Sequence, residues 1–219
     1  MQAVVFDMDG LMFNTEDVYT SVGEELLRRR GHVFTAELKD RMMGLQARPS
    51  FEAMIDYCGL SDTWQSLAAE SNRLFLEMLE SRLKPMPGLM TLLDALERAN
   101  LPKAIGTSSC RELVYPCLKP FGLAPRFRFI LTAEDVTHGK PHPEIYQKAA
   151  ERLGIPASEM AVLEDSQNGC IAAASAGAFA IAVPGEHSRD HDFRQAQLVA
   201  DSLADPRLYA ALGITASRS

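Results

Sequence analysis

Five short apolar runs rich in branched and small residues limit what this chain can fold into: "AVVF" (3–6), "KAIGT" (103–107), "FIL" (129–131), "AVLE" (161–164) and "AFAIAV" (178–183). Each is too short for a buried helix and reads as a buried strand. From residue 88 onward the runs alternate with helical patterns over 88–100, 111–122, 143–154 and 166–177. Parallel neighbours cannot be joined by a tight hairpin and need a crossover, so the alternation predicts an α/β fold built on a parallel sheet. The stretch between the first two strands breaks the rhythm. It offers amphipathic helices near 16–30, 35–43, 50–58 and 63–82 and no convincing strand, which predicts a helical domain spanning 14–84 inserted into a core made of 1–13 and 85–219. "KPMPG" (84–88), with two prolines and a glycine, suits a stiff return to the sheet.

With 219 residues the chain can bury a full core and a smaller accessory domain. A formal charge of −7 argues against a general nucleic-acid or anionic-membrane binder, because phosphate backbones are held by clustered Lys and Arg. Four cysteines (58, 110, 117, 170) show no CxxC spacing and fit a reduced compartment as apolar fillers. There is no basic n-region with a signal core, nor an apolar stretch long enough to span a bilayer. The expectation is a cytoplasmic protein, either a monomer or a weak homodimer; a small phosphorylated ligand would need only a local positive site.

Reactive residue types gather where the strands should end. Asp7 and Asp9 follow the first strand, Thr107 with Ser108 and Ser109 the second, and Glu164 with Asp165 the fourth, while Lys140 precedes a helix. In open α/β sheets ligands sit beyond the carboxyl ends of the strands, so these segments are expected to meet in one crevice. Four carboxylates cannot all stay ionised there without a partner. Few carboxylates, retained waters and a substrate phosphate describe Mg²⁺ better than Ca²⁺, with Asp7, Asp9, Glu164 and Asp165 as candidate metal ligands. The roles that follow are nucleophilic attack on phosphorus by Asp7 and general acid/base work by Asp9. The Thr107 hydroxyl and the backbone N–H groups around Asp9, Gly10 and Ser108 would hold phosphoryl oxygens, and Lys140 would neutralise the nucleophile and phosphate.

"FDMDGLMFNTE", "GTSS", "HGKPHPEIY" and "LEDSQNG", in that order, resemble the four motifs of the haloacid dehalogenase superfamily, in the branch with a helical cap inserted after the first strand. The resemblance implies a Rossmann-like core, a helical cap that closes over the substrate, and a Mg²⁺-dependent phosphohydrolase working through an aspartyl phosphate. Asp7 matches the nucleophile, Asp9 the general acid/base, Thr107 the second motif, Lys140 the third, and Glu164 with Asp165 the fourth. It also implies that the backbone carbonyl of Asp9 binds the metal. In the cap, Tyr19, Arg41, Gln46 and Arg48 are candidates to face substrate. Asn14 stands where relatives commonly carry Asp. β-Phosphoglucomutase relatives have a His at the place of Tyr19 and an Arg at the place of Ala47, with Arg48 displaced by one, so the departures favour hydrolysis over phosphomutase chemistry. "FDMDGLMFNTEDVY" and "VPGEHSRD" are similar to the pseudouridine-5′-phosphate phosphatase branch and to relatives acting on sugar phosphates.

Plainer readings stand beside these. A lone DxDG is as readily a solvated turn or a cap, Thr107 or its serines can cap the next helix, and Glu164 with Asp165 suits a helix start. His138/His142 and His187/His191 have a spacing open to zinc if helical, but loop formers surround them and no cysteine pair joins them. A phospho-accepting signalling module also uses acidic residues, a Thr or Ser and a Lys, yet lacks a helical domain directly after its DxD.

Overall fold

The computed structural model describes residues 1–42, 45 and 47–215. The chain divides into two compact units, Met1–Asn14 with the chain from Lys84 onward, and Thr15–Leu83.

The first unit is built on a sheet in the order β3-β2-β1-β4-β5-β6, every pair parallel. Its strands are β1 (Ala3–Phe6), β2 (Lys103–Gly106), β3 (Ile130–Leu131), β4 (Met160–Glu164), β5 (Phe179–Ala182) and β6 (Leu198–Val199). β1, β2 and β4 are buried along their whole length, which is why they read as unbroken apolar runs: both faces are covered by crossover helices. β6 escapes the sequence reading because it is two residues long and half exposed. The helices of this unit are α5 (Leu89–Arg98), α6 (Arg111–Leu118), α7 (Glu144–Leu153), α8 (Gln167–Ser175) and α9 (Pro206–Leu212). α9 was not expected either, although Asp205 caps its start through Arg207 N (2.8 Å) and Pro206 occupies its first position. One core cluster joins Val5, Ala104, Leu131 and Val162 of the sheet to Ile145, Tyr146 and Ala149 of α7 and to Ala172 and Ala173 of α8.

Sheet order reverses direction of growth at β1: the chain goes one way to β2 and β3, then returns to the other side for β4, β5 and β6. The crevice at this switch point, between the carboxyl ends of β1 and β4, is where such sheets accept ligands. The chain leaves and re-enters this unit through two hydrogen-bonded segments. Met86 N donates to Met12 O (2.8 Å) and Asn14 N to Lys84 O (3.1 Å), while Lys84 N donates to Asn14 Oδ1 (2.7 Å). Asn14 thus supplies the acceptor that an Asp would supply at that place.

The second unit holds α1 (Thr15–Arg28), α2 (Ala36–Met42), α3 (Ala47–Cys58) and α4 (Trp64–Arg82). Leu27, Leu38, Met54 and Leu67 form its centre, with Phe34 and Phe51 against them, and Arg30 bridges Asp62 and Glu70 (2.8 and 2.7 Å). α3 begins at Ala47, earlier than the expected 50, because Pro49 in a first turn gives up no intrahelical bond. No described helix is long and apolar enough to cross a membrane.

On α5, Glu97 accepts from Lys103 at the start of β2 (2.8 Å) and from Arg126 (2.7 Å). The Arg126 hydrogen bonds, joined by Lys103, hold the Glu97 carboxyl down at about 2. A folded-state value below the unfolded one stabilises fully above the unfolded value, and that contribution disappears as pH falls through the folded one. Thermal melts are expected to lose stability from about pH 4.5 towards pH 2, and Glu97→Gln to flatten that portion of the curve while lowering the melting temperature near neutrality.

Candidate active site

Three neighbouring strands deliver the site. Phe6 pairs in register with Leu163 of β4 and Ile105 of β2, so Asp7, Thr107 and the Glu164–Asp165 pair emerge side by side at one end of the sheet. Asp7 N donates to Leu163 O (2.9 Å), which extends the pairing one residue beyond β1 and pins the backbone under the carboxylate. Asp7, Thr107, Glu164 and Asp165 are all buried. Lys140 arrives from the loop before α7.

Lys140 spends its three ammonium protons on fixed acceptors: Asp7 Oδ1 (2.5 Å), Glu164 Oε1 (2.6 Å) and the carbonyl of Gly106 (3.0 Å). Burial pushes the Asp7 carboxyl well above the usual range, with Glu164 and Asp9 adding to the effect and Lys140 opposing it. Burial also acts to lower the Lys140 ammonium, but Asp7 and Glu164 outweigh it and hold the lysine well above its ordinary value. The lysine is therefore a permanent positive charge and the centre of the site.

One cation does not balance four acids. Oxygens of Asp7, Glu164 and Asp165 lie within 4.8 Å of one another, and Asp9 Oδ1 is a buried oxygen with no hydrogen-bond partner. An all-oxygen donor set with excess negative charge fits a hard divalent cation rather than a soft one. Of the expected ligand set, Asp7, Glu164 and Asp165 bring their oxygens together and would hold it; the Asp9 side chain is not part of that group.

Asp9 is oriented from β2. Its Oδ2 accepts from Thr107 Oγ1 (3.0 Å) and from Ser109 Oγ (2.7 Å), and Ser109 N donates in turn to Thr107 Oγ1 (3.0 Å). Ser108, whose backbone N–H is expected to hold a phosphoryl oxygen, is exposed. Ser109, which touches Asp9, was passed over; its one signal was its place two residues after Thr107. Gly10 also takes a different part from the expected one. Its N–H donates to Phe13 O (3.0 Å), and what the residue supplies is room, because a Cβ there would stand 2.3 Å from Asp165 Oδ2 and φ is +74°. Gly169 does the same for the other acid: a Cβ would fall 1.8 to 2.1 Å from the Glu164 carboxyl. Ser166 caps α8 through Gly169 N (3.1 Å) and donates its hydroxyl to Glu164 Oε2 (2.9 Å).

The candidates in the helical unit are engaged locally. Tyr19 stacks on Phe75 (4.5 Å between ring centres), Arg41 pairs with Glu37 (2.7 Å) and Arg48 with Glu52 (2.8 Å). Gln46 lies outside the described residues. His138 and His142, in the loop around Lys140, stand with Glu144 at the start of α7, but both Glu144 oxygens already accept, from Thr137 N, Lys148 Nζ and the backbone N–H of His138, whose ring lies 3.2 Å away. This group is a loop clamp. The cysteines are free thiols, with Cys117 and Cys170 buried and Cys58 and Cys110 half-buried.

Residues 4–183 match the family model of haloacid dehalogenase-like hydrolases. The chain is 35% identical over 209 residues to a probable pseudouridine-5′-phosphatase of Drosophila melanogaster, spanning 92% of this chain and 89% of that one. It is 30% identical over 181 residues to a phosphorylated carbohydrates phosphatase of Thermotoga maritima, covering 81% and 82%. Among solved structures it superimposes on CbbY from Rhodobacter sphaeroides in complex with phosphate with a TM-score of 0.82 and 25% identity, over 93% and 95% of the two chains. The chain belongs to the haloacid dehalogenase-like hydrolases. Within them it is a phosphoric monoester hydrolase with a Rossmann-like core.

The glycine at 169 carries a sharp consequence. Gly169→Ala must expel the Glu164 carboxylate from its donors, and breaking one partner out of a buried ionic group costs about 3–5 kcal/mol. Denaturant titration is expected to show a loss of that size; an unchanged midpoint would contradict the close approach.

Proposed function

We propose that the protein is a Mg²⁺-dependent phosphatase that hydrolyses a small phosphomonoester, a sugar phosphate or a nucleotide-like monophosphate, through an aspartyl phosphate on Asp7. The observation that carries this reading is the buried Asp7 carboxylate held by Lys140 at the β1/β4 switch point, with Asp9 two residues on and oriented by two hydroxyls. Its relatives' names, a pseudouridine-5′-phosphatase and a phosphorylated carbohydrates phosphatase, support the substrate class. Tyr19 and Ala47, standing where mutase relatives resemble each other in His and Arg, support hydrolysis over isomerisation. The free thiols and acidic charge support a cytoplasmic setting.

In the first half-reaction an Asp7 carboxylate oxygen forms a bond to phosphorus as the bond to the ester oxygen breaks. Asp9 delivers its proton to that oxygen, which leaves as an alcohol. Asp9 Oδ2 is occupied by the Thr107 and Ser109 hydroxyls, so the unpartnered Oδ1 is the atom that carries the moving proton. In the second half Asp9 Oδ1 takes a proton from water, the water oxygen bonds to phosphorus, and the Asp7–phosphorus bond breaks to release inorganic phosphate. Lys140 holds Asp7 in place and offsets charge on the phosphoryl oxygens throughout. Mg²⁺ would be held by Asp7, Glu164 and Asp165 with the backbone carbonyl of Asp9, and would supply the positive charge that lets an anionic nucleophile approach an anionic ester.

Purified protein with Mg²⁺ is expected to release phosphate from a panel of phosphorylated sugars and nucleosides. Asp7→Asn should lower turnover by on the order of a thousandfold or more, and chelation should abolish it reversibly. Full turnover by Asp7→Asn would end the proposal. Appearance of an isomerised sugar phosphate that depends on a bisphosphate activator would instead identify a mutase. In a second series, Ser109→Ala is expected to lower kcat about tenfold with little change in KM, because a hydroxyl bonded to a charged partner is worth roughly 1.5–3 kcal/mol.

A further inference from the structure

Tyr146 has no part in the reaction as drawn, yet it touches both partners of the central ion pair. It is the third residue of α7, Glu144–Leu153, and is fully buried. Its hydroxyl donates to Glu164 Oε1 (2.6 Å), the same oxygen that accepts from Lys140 Nζ (2.6 Å). The face of its ring lies 5.1 Å from that ammonium nitrogen. We infer that Tyr146 is a positioning residue for Lys140: its hydroxyl sets the rotation of the Glu164 carboxylate that presents Oε1 to the lysine, and so aims the ammonium at Asp7.

The geometry leaves Glu164 few other means of orientation. Oε2 is held by the Ser166 hydroxyl (2.9 Å), and Gly169 removes any side chain that would wedge the carboxylate from beneath. Oε1 is shared between the tyrosine hydroxyl and the lysine, whose ammonium is otherwise held by the Gly106 carbonyl (3.0 Å) and Asp7. Of the two donors on Oε1 the tyrosine is the rigid one, because its ring is locked in the core with Ala149 and Val162. Burial raises the phenol well above its usual range, so it stays a donor at working pH. A hydrogen bond to a charged acceptor in a buried site is roughly twice as strong as a neutral one, and a small misplacement of a charged group costs rate far more than affinity.

This inference rests on the phosphatase reading, and the test separates the two. With Mg²⁺ and p-nitrophenyl phosphate as the probe, Tyr146→Phe keeps the ring and deletes only the donor. It is expected to lower kcat about ten- to thirtyfold while KM stays within about twofold. In a Lys140→Ala background the same substitution should change kcat by less than about twofold, because a residue that acts through the lysine has nothing left to aim. Replacing Tyr146 with 4-aminophenylalanine, which keeps a donor at the ring's para position, should restore kcat to within about threefold of the parent and does not depend on the Phe variant folding. A Tyr146→Phe enzyme with parental kcat, an equal loss in both backgrounds, or failure of the amino analogue to restore turnover would overturn the role. If Asp7→Asn in the same series is dead while Tyr146→Phe is unaffected, only the positioning role falls; if Asp7→Asn keeps full turnover, the phosphatase reading falls and takes this inference with it.

Discussion

The Lys140 ammonium, shared between Asp7 and Glu164 inside the protein, is the contact on which the site depends. Removing either carboxylate would leave the lysine with one buried counterpart instead of two, and removing the lysine would leave two acids confronting each other. Either change is costly in a low-dielectric interior. The surroundings are arranged accordingly. Gly106 offers its carbonyl, Tyr146 and Ser166 hold the two oxygens of Glu164, and Gly169 vacates the space that Glu164 fills. Even so the acids outnumber the cation, an excess that a hard divalent ion would offset.

Asp9 faces a separate requirement. In the proposed reaction Asp9 both gives and takes a proton, and such a group must be fixed in direction but not saturated. Thr107 and Ser109 occupy Oδ2, leaving Oδ1 buried and unpartnered. Asp7, by contrast, is tied to Lys140 through Oδ1 at the shortest contact in the cluster. Two aspartates of identical chemistry, two positions apart, are given different surroundings by the elements beside them: β4 and the loop before α7 govern Asp7, and the end of β2 governs Asp9.

Much of this was legible in the chain. β1, β2, β4 and β5 are continuous apolar runs because they are buried on both faces, and the acids and hydroxyls that follow them can only emerge at the carboxyl edge. The strand of two residues at Leu198–Val199 leaves no periodic trace, and α9 is announced only by Asp205 and Pro206. Ser109 and Tyr146 were missed for another reason. A serine after a strand and a tyrosine in an amphipathic helix are ordinary in sequence, and nothing local distinguishes Ser109 from Ser108. Gly10 shows the reverse: its type and place were noticed, but as a donor, whereas its N–H closes on Phe13 and its missing side chain is what matters.

The sequence by itself determined the kinds of group available, their order along the chain and their placement at strand ends, because buried parallel strands impose a pattern that can be read locally. It also determined that so many carboxylates would need a positive partner. Only the tertiary structure decided which oxygen meets which donor. Lys140 reaches Asp7 across 133 positions and Ser109 reaches Asp9 across 100, and contacts over such separations are set by the sheet order and by the packing of α7 and α8, not by any neighbouring residue.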